Sequence, residues 1–156
     1  MADVEFHNTR FDPDVTPFHD LAKSMASAFG YTADLTVAPE LAQLLRLRVA
    51  QINQCAYCLI LHSRAARELG IHQARIDALA SWRISGDLYS EQEQAALAYC
   101  EALTDGRPAG FETAHSALAA LCDERTLAEI AAIVINMNVW TRLKLAQGAT
   151  PRLSDG

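Results

Sequence analysis

The chain has little of what several large classes of protein require. Its 156 residues include 13 Lys and Arg against 19 Asp and Glu, for a net charge of −6. No basic surface is therefore expected to neutralise the phosphates of a nucleic acid. The longest apolar run near the C-terminus, Ile130 to Ile135, is far too short to span a bilayer. The N-terminal residues are acidic and polar, unlike a secretory signal. We expect a cytoplasmic protein with no nucleic-acid partner and no membrane segment.

Cysteine is also scarce, and linkers are absent. Four cysteines without an export signal do not predict a disulfide scaffold, and a closely spaced pair in a cytosolic protein is more often catalytic or metal-binding. No repeat and no low-complexity segment divides the chain. A length of 156 residues with 51% hydrophobic content is enough for one core. The sequence predicts a single domain over residues 1–156.

Helix signals recur along the chain, whereas convincing alternating strands do not occur. The signals are a proline at a first helical position, a capping box at Ser90–Glu93 and a second box at Thr126–Glu129. We predict an all-α domain of about seven helices. Their predicted spans are Pro17–Phe29, Pro39–Ile52, Cys55–Leu69, His72–Trp82, Ser90–Thr104, Phe111–Leu121, and a last helix from Asp123 or Thr126 to about Ala146. The middle of that last helix, Ile130–Trp140, is apolar on nearly every side, which favours burial or self-association.

The most informative motif is Cys55-Ala56-Tyr57-Cys58, followed four residues later by His62. On a helix His62 lies on the same face as Cys58. We expect the start of the helix to favour the thiolate of Cys58, because unpaired N–H groups and the positive end of the dipole face its sulfur. His62 can then accept the thiol proton. Cys55, at or just outside the cap, lies close enough to attack an oxidised Cys58 and form a disulfide.

Two other interpretations of the motif stay open. The cysteines can be small buried hydrophobes beside a packed His62. Alternatively, Cys55, Cys58 and His62 supply three metal ligands, although no second C-x-x-C or H-x-x-x-H provides the usual fourth, so no metal site is expected. Cys100 and Cys122 stand singly in apolar stretches and are expected in the core.

The motif and its surroundings resemble a known family. The run from Leu44 through Cys55 and Cys58, continuing through His62 to Gly70, is similar to the alkylhydroperoxidase D-like core of the carboxymuconolactone decarboxylase superfamily. Softer matches are Leu79–Arg83, Ala95–Ala98 and Asn138–Arg142. The resemblance covers about residues 39–147, preceded by an N-terminal segment, residues 1–38, with one helix.

The resemblance implies an all-helical fold that forms homo-oligomers, commonly trimers or hexamers. It also implies a peroxiredoxin-type alkylhydroperoxidase activity without a cofactor, acting on a small hydroperoxide. In that scheme Cys58 attacks the peroxide and becomes a sulfenic acid, and Cys55 resolves it to a disulfide. A dithiol or thioredoxin-like reductant reopens the disulfide, and His62 belongs to the proton relay.

Two positions depart from the family pattern. Gln43 stands where the family has a glutamate, and Tyr57 where its best-studied branch has a histidine. Gln43 accepts no proton near neutral pH, but it can orient a water or His62 through hydrogen bonds. Glu40, one turn earlier, is a weaker candidate for the missing acid, since it also fits as a first-turn charge. Tyr57 can gate the cysteines, bind substrate or simply cover them.

Two further functions stay open. One is the decarboxylase branch, which acts on a lactone acid and does not depend on a cysteine pair. The other is a non-catalytic oligomer whose cysteines sense redox state. Outside the motif we expect structural roles: surface or helix-end positions for His7, His19, His72 and His115, an exposed helix face for Arg46 and Arg48, and packing or subunit contacts for Trp140 and Arg142.

Overall fold

The computed structural model describes residues 3–154, which form seven α-helices and one small sheet. The elements are β1 (Val4–Asn8), α1 (Phe18–Phe29), α2 (Pro39–Ile52), α3 (Ala56–Glu68), α4 (Gln73–Asp77), α5 (Glu91–Asp105), α6 (Pro108–Ala119), α7 (Glu124–Gln147) and β2 (Ala149–Leu153). Short 3-10 helices cover Pro13–Val15, Leu79–Ile84 and Gly86–Leu88. The fold is thus an all-helical single domain with a two-stranded addition.

Helix α2 forms the centre of the core. It is covered by α3, α5 and α7 together, which bury apolar side chains on several of its sides. Its fully or almost fully buried residues are Leu41, Ala42, Leu44, Leu45, Leu47, Val49 and Ala50. Because α2 is held from several directions, it provides a rigid base for the helix that follows it.

The helix signals in the sequence are largely confirmed. Gly30 ends α1, and Ser90 and Glu93 form the expected capping box at α5. The last helix begins after Asp123, whose side chain accepts the N–H of Thr126 at 2.8 Å, so Thr126 is not its cap. The regular part of α6 starts at Phe111 as predicted, because Ala109 and Gly110 are not helical.

The helix predicted over His72–Trp82 is wrong in its second half. After Asp77 the chain changes to 3-10 geometry, and Ser81 leaves helical conformation with φ −117° and ψ 30°. The hydroxyl of Ser81 bonds the carbonyl of Ala78 at 3.1 Å, the kind of local competition by which serine interrupts a helix. Trp82 is still buried, so the segment keeps its packing role.

The sheet was not predicted. Strands β1 and β2 pair antiparallel, from Val4 opposite Leu153 to Asn8 opposite Ala149. Gly148 ends α7 in the left-handed conformation, with φ of 71°, and its carbonyl accepts the N–H of Thr9 at 3.0 Å. The sheet packs against α3, which carries the cysteines.

No helix within residues 3–154 is long and apolar enough to cross a membrane. The apolar middle of α7 is mostly buried inside this chain, at Ile130, Ile133, Val134 and Met137, while Ile135 is 46% exposed. The apolar pattern of that helix is therefore largely explained by the core of one chain.

Candidate active site

The turn between α2 and α3 places the two cysteines. Gln54 adopts a left-handed conformation with φ of 52°, so the chain changes direction directly after α2. The amide of Cys55 donates to the carbonyl of Ala50 at 3.1 Å, which fixes the turn to the buried helix. Cys55 is the N-cap of α3, and Cys58 lies in its first turn. Both cysteines are buried.

The two sulfur atoms lie 2.7 Å apart, within hydrogen-bonding distance, and both thiols are free. Sγ of Cys55 also accepts the backbone N–H of Cys58 at 3.4 Å. The hydrogen bond from the Cys58 thiol, supported by that N–H, lowers the pKa of Cys55. The same contact, together with burial, raises the pKa of Cys58 well above its usual range. Cys55 is therefore the more acidic thiol of the reduced pair.

This arrangement corrects the expectation that the helix start favours the thiolate of Cys58. An N-cap side chain folds back over the N–H group three residues later. With a spacing of three, Cys55 receives the free donor and Cys58 supplies it. The expectation that Cys55 lies close enough to attack Cys58 is confirmed by the sulfur–sulfur distance.

Gln43 fixes the orientation of His62. Nδ1 of His62 lies 3.0 Å from Nε2 of Gln43, and the same Nε2 lies 2.9 Å from the backbone carbonyl of His62. That carbonyl can only accept a hydrogen bond, so the NH2 group of Gln43 must face His62. Nδ1 is then an acceptor, and the proton of the neutral ring is on Nε2. Gln43 thus makes the hydrogen bond to His62 that an orienting role requires.

His62 is neutral near pH 7. Its burial, helped by the positive charge of Arg46, lowers its pKa to about 4. Arg46 was expected on an exposed helix face, but it is half-buried. Its Nη1 lies 3.5 Å from Oε1 of Gln43, and burial lowers its pKa to about 10. His62 is therefore a hydrogen-bond donor through Nε2, and its expected role as acceptor of the thiol proton does not fit this geometry.

A cavity of about 430 Å³ opens beside Cys58 and His62. Its other wall residues come from α1, the loop after it, α3 and α7: His19, Lys23, Tyr31, Tyr57, Leu61, Trp140 and Lys144. Cys55 borders a separate cleft between the start of α3 and β2. The two thiols thus face different openings. A cavity of this size admits an organic molecule much larger than hydrogen peroxide.

Several wall residues had been assigned structural roles from the sequence. His19 is not a plain surface residue: its Nδ1 lies 2.7 Å from Oδ1 of Asp14, and its ring lies edge-on to Trp140 at 5.8 Å. Trp140 lines the cavity instead of serving only as a packing residue. The sequence analysis assigns no role to Lys144, which stands between Leu143 and Leu145 near the end of α7. Tyr57 lines the cavity and packs at 4.5 Å against Phe6 of β1.

The remaining candidates lie outside this cavity. Glu40 is exposed and lies 3.5 Å from Arg75, so it does not replace the missing acid. His72 caps α4 by accepting the N–H of Ala74 at 3.1 Å, as a helix-end residue. Cys100 is fully buried in the core, and Cys122 is half-buried. Within the described part of the chain, no three His, Cys, Asp or Glu side chains lie close enough together to hold a metal ion.

The fold and the site define an all-helical protein with a buried C-x-x-C dithiol beside an organic-sized cavity. The carboxymuconolactone decarboxylase family model matches residues 20–102. The chain belongs to this family.

Two bacterial proteins are similar in sequence to this chain. The uncharacterised protein YdfG of Bacillus subtilis is 30% identical over 128 residues, covering 81% of this chain and 86% of that protein. The uncharacterised protein YnjA of Escherichia coli is 31% identical over 108 residues, covering 69% of this chain and 59% of that protein.

Solved structures share the fold. A protein of unknown function from Agrobacterium tumefaciens, described as a candidate antioxidant defence protein AhpD, superposes with a TM-score of 0.78 at 22% identity, covering 89% of this chain and 91% of that one. An uncharacterised peroxidase-related protein from Silicibacter gives 0.68 at 19% identity, covering 85% and 69%.

Proposed function

We propose that the protein is a cytoplasmic thiol peroxidase of the peroxiredoxin type that reduces organic hydroperoxides with Cys58 and Cys55. The observation that carries the proposal is the placement of the pair. The sulfurs lie 2.7 Å apart, yet Cys58 lines the 430 Å³ cavity while Cys55 borders a different cleft. Cys58 can react with a substrate in the cavity, while Cys55 stays next to it to form the disulfide.

The first half-reaction starts with a proton shift within the pair. The proton of the Cys58 thiol crosses to the Cys55 thiolate, which leaves Cys58 as the nucleophile. Its sulfur attacks the terminal oxygen of the hydroperoxide ROOH. The O–O bond breaks, a sulfenic acid forms on Cys58, and the leaving alkoxide takes a proton from solvent to give the alcohol ROH.

The second half-reaction closes the disulfide. Cys55 gives its proton to solvent and attacks Sγ of Cys58, which expels hydroxide, and the hydroxide is protonated to water. A dithiol or thioredoxin-like protein then reduces the disulfide by thiol exchange. One hydroperoxide and one dithiol thus yield one alcohol, one water and one oxidised dithiol. The cleft beside Cys55 offers this reductant a route that does not cross the substrate cavity.

In this proposal Gln43 orients His62, and His62 orients the hydroperoxide. Gln43 holds the ring with Nδ1 as acceptor, which leaves the Nε2 proton for a substrate in the cavity that His62 lines. A neutral donor can orient the hydroperoxide without forming an ion pair with the thiolate. The missing glutamate would then slow proton transfer but would leave the dithiol chemistry intact.

The geometry favours this proposal over the two alternatives. Decarboxylation by proton transfer needs a base, but burial keeps the pKa of His62 at about 4, and Gln43 does not titrate. A redox sensor needs no substrate cavity, whereas Cys58 borders one of organic size. A sensor oxidises once, while an enzyme turns over many times when a reductant is present.

A homo-oligomer, a trimer or hexamer, is part of the same proposal. Large apolar side chains lie exposed around the N-terminal segment and α1: Phe11, Val15, Phe18 and Leu21. An exposed apolar patch of this kind often marks an interface. Native mass spectrometry would report the assembly.

The test is turnover of cumene hydroperoxide with dithiothreitol as the reductant. Cys58→Ser should abolish dithiol-dependent peroxide consumption, because the attacking sulfur is gone. Cys122→Ser, which changes a half-buried cysteine outside the site, is the matched control and should keep the wild-type rate. Equal rates for wild type and Cys58→Ser would rule the proposal out. Consumption limited to one equivalent would favour the sensor instead.

A further inference from the structure

The cavity contains a buried cation that lacks an anionic partner. Lys144 of α7 is only 9% exposed, and its Nζ lies over the ring of Tyr57 at 4.6 Å and that of Trp140 at 5.7 Å. No carboxylate of residues 3–154 lies within 4 Å of this ammonium group. Two aromatic faces compensate only part of the cost of burying a charge.

A second polar group in the same wall is also unsatisfied. Nε1 of Trp140 is inaccessible to solvent and has no hydrogen-bond partner in the described chain. A buried indole N–H usually finds an acceptor. Because Nε1 has no solvent-accessible surface, a carboxylate in the cavity would meet the ammonium group of Lys144, a donor that interacts favourably with a carboxylate oxygen.

The other charged groups around the cavity do not provide Lys144 with an anionic partner. Lys23 is more exposed and lies 3.7 Å from Asp20. Asp14 is hydrogen-bonded to His19 at 2.7 Å. Cys58, Cys55 and Asp14 are the acidic groups whose negative charge would favour the charged form of Lys144. The residues that line the cavity include two lysines and no carboxylate.

We propose that Lys144 forms an anion subsite, and that the preferred substrate is an organic hydroperoxide carrying a carboxylate. This substrate class rests on the proposed peroxidase function. The carboxylate would contact Nζ of Lys144, and the aromatic walls would hold the apolar body. The hydroperoxide end would then reach Cys58, which borders the same cavity.

Lys144 also acts on the thiols themselves. Its positive charge favours the thiolate form of both Cys55 and Cys58. Removing that charge should therefore slow the reaction with every hydroperoxide by one common factor. Preference for a carboxylate is a separate quantity, and it shows only in the ratio of kcat/KM between two matched substrates.

The first experiment compares cumene hydroperoxide with its para-carboxylate, which differ by one carboxylate group. Wild type should prefer the carboxylate by about tenfold to a hundredfold in kcat/KM, the range expected for one buried charge-assisted hydrogen bond. Lys144→Met keeps the length and apolar stem but should reduce the ratio to near one. Arg67→Met removes the same charge at the far end of α3, about 13 Å along the helix from Cys58, and should keep the wild-type ratio.

Two results would overturn the subsite. One is a wild type that does not prefer the carboxylate, which needs no variant to observe. The other is a preference that survives in Lys144→Met.

A binding measurement separates the subsite from the peroxidase function. Calorimetry on wild-type protein, with benzoate and neutral benzamide as probes, should give at least tenfold tighter binding of benzoate, and Lys144→Met should lose the difference. Benzoate selectivity without peroxide turnover would refute the peroxidase and keep the subsite. Turnover with equal affinity for the two probes would keep the peroxidase and refute the subsite.

Discussion

Replacing Gln43 with glutamate tests how the protein controls His62. In the wild type the amide of Gln43 donates to Nδ1 and to the carbonyl of His62, at 3.0 and 2.9 Å. A carboxylate at this position accepts and cannot donate. The imidazole proton should therefore move to Nδ1, which leaves Nε2 as a base facing the cavity.

The size of the effect follows from these contacts. A carboxylate at hydrogen-bonding distance raises the pKa of a histidine by about one to three units. From the wild-type value of about 4, the pKa of His62 should rise to about 5–7. A base in this range should increase the peroxidase rate at pH 7 about tenfold to a hundredfold. Losing the amide donor to the carbonyl should cost about 1–3 kcal/mol of unfolding free energy.

Three measurements check this prediction. Long-range proton–nitrogen NMR distinguishes the protonated ring nitrogen from the bare one, pH titration gives the pKa, and urea unfolding gives the stability. Gln73→Glu, which adds a carboxylate at an exposed position, is the matched control and should change none of them appreciably. The reasoning would be refuted if wild-type His62 carried its proton on Nδ1, or if Gln43→Glu left its pKa unchanged.

Three stability predictions concern His62, Glu101 and Gly148. The pKa of His62 is about 4 in the folded chain and 6.5 in the unfolded chain, so the unfolded chain binds more protons between these two values. The unfolding free energy should therefore fall by about 3 kcal/mol as the pH drops from 6.5 to 4. Urea unfolding across this pH range measures the fall, and the His62→Gln variant should lack it. Glu101→Ala should lower the unfolding free energy measured in urea by about 3 kcal/mol, because Arg48 and the indole N–H of Trp82 lose the carboxylate that lies 2.9 and 2.8 Å from them. Glu101→Gln, which keeps an acceptor oxygen, should lower it less. Gly148→Ala should destabilise more than Gly70→Ala in thermal unfolding: both have positive φ, but a Cβ at 148 would lie 2.2 Å from Oγ1 of Thr9, and one at 70 meets nothing within 4 Å. Equal losses in the two glycine variants would contradict the close contact with Thr9.

Local signals explain why most helices could be predicted. The capping box at Ser90 and Glu93, and the stop at Gly30, depend on residues only a few positions apart. The sheet could not be found in this way, because Val4 pairs with Leu153 across almost the whole chain. Two five-residue strands with Pro151 in one of them give no clear alternating pattern.

The candidate site also has a part that local sequence spacing predicts and a part that depends on distant segments of the chain. Cys55, Cys58 and His62 lie on one helix, so their proximity follows from helical spacing. The cavity wall needs α1 and α7 to meet α3, and no short-range pattern predicts that His19 or Trp140 belongs to it. Which thiol is the more acidic depends on where α3 begins, because the sulfur of the N-cap residue, Cys55, receives the N–H of Cys58.

The central claim is that Cys58 is the sulfur that peroxide oxidises and that Cys55 resolves it. The most direct measurement is to treat reduced protein with one equivalent of cumene hydroperoxide, trap with dimedone and map the products by mass spectrometry. Wild type should give the Cys55–Cys58 disulfide, and Cys55→Ser should give a dimedone adduct on Cys58. An adduct on Cys55 in Cys58→Ser, with none on Cys58 in Cys55→Ser, would contradict the account, as would wild-type thiols that stay reduced.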